Sequence, residues 1–160
     1  MLAVPLTLSA ADFGVPSQAW AQSVEFTSNV SGGCALNVLN DGTLGTSGDR
    51  VQLSSKLTDG TAGTVRVTSN ANYFMSAIAP VLWDTSPIAG NGDTDFQALF
   101  SGNNVSGNGR TFAERDGAND INTRGSGPRV TDLTIHLIAD STNGAFPPGS
   151  YIASVTVLCE

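Results

Sequence analysis

Two cysteines, one histidine and a scatter of aspartates are the residues here with the clearest capacity for chemistry. Cys34 and Cys159 lack the CxxC spacing that brings thiolates onto one metal ion. In an exported protein such a pair favours a disulfide, and the expectation is a Cys34–Cys159 bond that clasps their two strands together; the other reading is two free thiols. Closing a loop of ~100 residues contributes up to about 4.7 kcal/mol in the chain-entropy model. His136 is the sole histidine, so a Ser-His-Asp triad and a His-rich zinc site would both hang on this residue. It falls on the outward side of an alternating run whose other side carries Leu133, Ile135 and Leu137, the ordinary place of a surface histidine.

Asp93, Asp95, Asp116 and Asp120 sit among Gly and Asn and are the calcium candidates, since that cation takes several oxygens. Asp116-Gly117-Ala118-Asn119-Asp120-Ile121 follows an EF-hand loop in part, but lacks an oxygen ligand at its third place and Gly at its sixth. Asx-turns use the same residues. Trp83, Tyr73 and Phe74 offer either a sugar-stacking platform or core packing. The Gly-rich residues 101–109 do not lie between a strand and a helix, so they do not make a phosphate loop. Acidic residues fall mostly in turn contexts and Glu is scarce, which does not favour a glycosidase pair. No catalytic residue, cofactor or metal is assigned, and the expectation is a protein that is not an enzyme.

The elements that must position these residues read as strands. Residues 151–159 alternate: Tyr151, Ala153, Val155, Val157 and Cys159 point one way, and Ile152, Ser154, Thr156 and Leu158 the other. Residues 34–39 put Cys34, Leu36 and Val38 on one face. Val65 and Val67 point inward from residues 64–68, residues 73–79 form another strand, and 130–139 is the strongest. Asn40-Asp41-Gly42, residues 58–63 and residues 140–144 mark turns. Residues 82–128 read as an irregular hairpin with long loops. With no sustained 3.6-residue period, the class is all-β, a sandwich.

At 160 residues with 40% hydrophobic content, the chain suits one domain with a real core. A net charge of −7 with only 7 Lys and Arg repels phosphate backbones and anionic lipid, which disfavours nucleic-acid and polybasic membrane partners. No apolar run reaches the ~20 residues of a membrane span. Residues 1–21 read as a signal peptide or its remnant, ending in Ala19-Trp20-Ala21; the other reading is a genuine N-terminal segment, since no basic residue precedes the apolar run and Asp12 sits near its end. Residues 22–160 are then a single β-sandwich domain.

Val24-Glu25-Phe26, residues 30–38, Gly42-Thr43-Leu44-Gly45, residues 63–70 and the closing Gly149-Ser150-Tyr151 to Val157 pattern together resemble chaperone-usher pilins and spore coat protein U-like subunits. The resemblance implies an immunoglobulin-like, pilin-like sandwich that is incomplete and is filled by a neighbour's N-terminal strand through β-augmentation. The donor candidates are Val24, Phe26 and Val30; the other reading makes residues 24–30 the domain's own first strand. The implied partners are identical or related subunits and a periplasmic chaperone, and the implied place is secreted, from periplasm to cell surface. The chain departs from the pattern where such subunits carry a second cysteine at the end of a middle strand: Ser69 stands near that place, and the second cysteine is in the last strand. The competing function is a self-contained secreted carbohydrate- or calcium-binding sandwich module.

Overall fold

The computed structural model describes residues 32–87, 93–123 and 127–160. The donor candidates Val24, Phe26 and Val30, and the signal reading of residues 1–21, lie outside the described residues. Ten strands follow one another: β1 Cys34–Asn40, β2 Gly45–Thr46, β3 Gln52–Ser54, β4 Gly63–Ser69, β5 Phe74–Ile78, β6 Thr94–Gly107, β7 Phe112–Asp116, β8 Ile121–Asn122, β9 Arg129–Ser141 and β10 Thr156–Cys159. The described residues contain no helix. The protein is an all-β sandwich, with every ladder antiparallel.

β9 is the strand around which the larger sheet forms. Its residues alternate apolar with polar, and Leu133, Ile135, Leu137 and Ala139 bury their side chains while Thr134, His136 and Ile138 are half-covered. One edge pairs with β6 from Thr94↔Ser141 to Gly107↔Arg129. The other edge is shared: β4 takes residues 129–135 and β3 takes residues 138–140. β1 lies outside β4, β2 outside β3, and β7 outside β6. The smaller sheet runs β10-β5-β8.

Between the sheets, Val65, Val67, Met75, Ala77, Phe100, Ile121, Leu133 and Ile135 form one core, with Val155, Val157 and both cysteines packed against it. Leu53, Trp83, Ala139 and Phe146 form a second, with Phe96 and Tyr151 alongside. Trp83 meets Phe96, Phe146 and Tyr151 in edge-on contacts with centroids 4.8, 6.0 and 5.0 Å away.

Two expectations need correction, and one exposed side chain has a local cause. Residues 101–107 are strand, not loop: β6 crosses Asn103, Asn104 and Ser106 because β9 supplies a partner along its whole length, which overrides their poor intrinsic preference. The last strand is shorter than its alternation suggests: only β10 is laddered to β5, and Ile152 makes a separate bridge to Thr85. Val51 is exposed although it shares parity with buried Leu53, because β3 begins after it.

Candidate functional site

The two cysteines expected to pair do so: Cys34 in β1 is bonded to Cys159 in β10. The bond joins an edge strand of the larger sheet to an edge strand of the smaller one. Away from it the two edges part, and a groove of about 760 Å³ opens between them. Its lips are residues 36–42 on one side and 151–157 on the other, and its floor includes Val65, Ile135 and Leu137.

Local sequence places each lip. β1 puts Leu36 and Val38 on the same side as the buried Val65, so alternation aims them inward. Yet they are 43% and 62% exposed. Among the described residues no strand pairs with the free edge of β1 to cover them. On the opposite lip, Phe74 and Glu160 exchange both backbone hydrogen bonds, at 2.6 and 2.9 Å. The ladder alternates, so residues 158 and 156 also face β5, and the N–H and C=O groups of Val155 and Val157 face the groove. Their side chains point to the core and line the same groove. The slot therefore offers apolar walls and unladdered backbone together.

The approach to β1 is also defined. Gly33 donates its N–H to Asn70 Oδ1 at 2.7 Å and accepts the Asn70 N–H at 3.3 Å. Gly32 has so little room that a side chain would meet Ala71 and Tyr73. Gly32 and Gly33 thus continue the line of β1 beyond the disulfide, opposite Ala71 and Asn70.

At the far end of the groove stands Ser55. β4 stops pairing with β9 at Ile135 and β3 starts at Ile138, which leaves Leu137 between two ladders. Ser55 fills the gap: its N–H donates to the Leu137 carbonyl at 3.0 Å and its hydroxyl oxygen accepts the Leu137 N–H at 3.1 Å. The same oxygen lies 3.0 Å from His136 Nδ1, and His136 Nε2 lies 3.9 Å from Glu114, which is paired with Lys56. Burial pulls the imidazole below its ordinary range; Glu114 opposes this and Lys56 adds to it. A hydroxyl, an imidazole and a carboxylate are in line, but Ser55 is only 6% exposed and its oxygen already terminates a β-ladder. The sequence put His136 on the outer face, as found, but gave no hint of Ser55, whose role arises from where two strands divide one edge.

The calcium candidates do not converge. Asp116 Oδ1 accepts the Ala118 N–H at 2.9 Å, the Asx-turn its context suggests. Asp93 precedes β6 and faces Asn143, Asp95 pairs across the sheet with Asp140, and Asp120 is exposed just before β8. Among the described residues no three His, Cys, Asp or Glu side chains are grouped to hold a metal ion. The aromatic platform is not assembled either: Trp83 is core, while Tyr73 and Phe74 sit at the start of β5 beside Thr123 and Glu160.

No family model matches this chain, and neither a curated protein nor a solved structure matches it. Among the described residues no helix is long and apolar enough to cross a membrane.

Proposed function

We propose that this chain is a structural or adhesive subunit of a bacterial surface appendage or envelope layer, pilin-like in its immunoglobulin-like sandwich, and that it assembles by strand exchange. The observation that carries this reading is the exposure of Leu36 and Val38 on an inward face, opposite Val155 and Val157, in a slot bordered by two strand edges. Such a slot accepts an extended segment that hydrogen-bonds through its backbone and seats alternate side chains. Residues 23–30, with Val24, Phe26 and Val30, have that pattern. Gly32 and Gly33 run in line with β1 on the side of the disulfide away from the groove, which favours donation to a second copy over insertion into the same one. The disulfide fits an oxidising compartment, in keeping with export to the periplasm and cell surface, where a chaperone would hold the groove before assembly.

The test is size-exclusion chromatography and native electrophoresis of the mature chain. Ladders of regular step are expected, and Phe26→Asp is expected to abolish them without altering the thermal unfolding of the monomer. A monomer at all concentrations, alone or with a chaperone, would overturn the reading.

A further inference from the structure

The same groove, on the strand-exchange reading above, has a feature that sets how much of a partner it can take. Neighbouring strands in a sheet lie about 4.8 Å apart, so a strand seated between two edges requires them to be roughly 9.6 Å apart. At the disulfide the Cα atoms of Cys34 and Cys159 are 6.4 Å apart. No third strand fits between β1 and β10 at that level. The room begins one step inward, at Leu36 on one lip and Val157 on the other, and ends near residue 41 and Ile152. That length holds about five to six extended residues, roughly 17–20 Å.

We propose that the Cys34–Cys159 disulfide is a stop that fixes the length and register of the inserted strand, and that the occupant is a segment of about six residues from residues 23–30 of a second copy. Residues 23–30 are too long to be seated whole. Every six-residue window within them contains Phe26 and Ser28, and none seats both Val24 and Val30 with its flanks. Phe26 is therefore the constant anchor. Ser28 occupies the next inward position, and only one of the two valines enters the slot. The other lies beyond the stop or beyond the open end. The groove selects a short strand with one large apolar side chain, a small polar one two residues on, and a single β-branched neighbour.

The experiment compares full-length Val24→Asp, Val30→Asp and Phe26→Asp in the ladder assay, with hydrogen exchange followed on assembly. Phe26→Asp is expected to remove the ladders. One valine variant is expected to weaken assembly by about tenfold or more, the scale of losing a buried valine, and the other to leave it nearly unchanged. Exchange should slow at Val155, Val157, Leu36 and Val38 and stay unaltered at Cys34 and Cys159. Ser69 lies directly across from Cys34 in the β1·β4 ladder, so Ser69→Cys with Cys159→Ser moves the staple off the groove while retaining a disulfide. In that background both valine variants should weaken assembly. Equal effects of the two valines in the native background, or protection spreading to Cys34 and Cys159, would overturn the stop while leaving strand exchange standing. Wild-type ladders that survive Phe26→Asp, or an absence of ladders, would sink both.

Discussion

The sandwich has two long seams between its sheets, and they are built in opposite ways. On one side the backbone itself crosses. Gly117, just after β7, donates its N–H to the Ala98 carbonyl of β6 at 2.8 Å and accepts the Ala77 N–H of β5 at 2.9 Å, so a single residue ties the larger sheet to the smaller. A Cβ there would lie 1.9 Å from the Ala77 oxygen and 3.0 Å from the Ala98 oxygen, which is why the position needs glycine. On the other side β1 and β10 share no ladder; a covalent bond holds one end and the rest is open. A seam closed by main-chain hydrogen bonds is sealed against partners. A seam closed at a single point keeps its edges in place and its interior available.

The sharpest way to break the contrast is at the sealed side. Gly117→Val forces two backbones apart and is expected to cost about 4 kcal/mol or more, read as loss of a cooperative melting transition in calorimetry. At the open side, Cys34→Ser with Cys159→Ser removes a link across 125 residues of sequence. Denaturant unfolding should show a loss of roughly 3–5 kcal/mol, with hydrogen exchange accelerating most in β1 and little in β6 and β9. Uniform acceleration through both seams would mean that the bond steadies the whole domain rather than its open side.

Smaller effects probe the far end of the groove. Ser55→Ala leaves the Leu137 N–H without its acceptor at the junction of two ladders and should reduce stability by about 1–3 kcal/mol in chemical denaturation. His136 provides the mildest lever. Its folded pKa lies below the ordinary value of about 6.5, so the folded chain binds fewer protons than the unfolded one through that range. Its contribution is complete above the ordinary value and is lost as pH falls below it. A His136→Gln variant should flatten that part of the stability profile, and a profile unchanged by the substitution would show that the histidine does not set it.

Much of the frame was legible in the residues. The alternation of 130–139 and of 64–68 placed Leu133, Ile135, Val65 and Val67 inward, and the sandwich follows from it. The cysteines pointed to a bond between the first and last described strands. What could not be read depends on neighbours distant in sequence. The strand character of Asn103 and Asn104 comes from pairing with β9, and the importance of Gly117 comes from two carbonyls that approach it from different sheets. The groove is of the same kind: Leu36 and Val38 look like ordinary core residues, and only the topology shows that among the described residues no strand pairs with the free edges of β1 and β10.

The placement of the disulfide also governs how the domain bears tension. Force entering ahead of β1 and leaving at the end of β10 meets a sulfur–sulfur link almost at once, and the stretch between Cys34 and Cys159 is shielded from the pull. Without it, that stretch of 125 residues would be free to pay out, at about 3.4 Å per residue, by roughly 430 Å. A filament of such units would be stiff in the sense of a chain with welded rings, lengthening by sliding at its joints before any ring unravels.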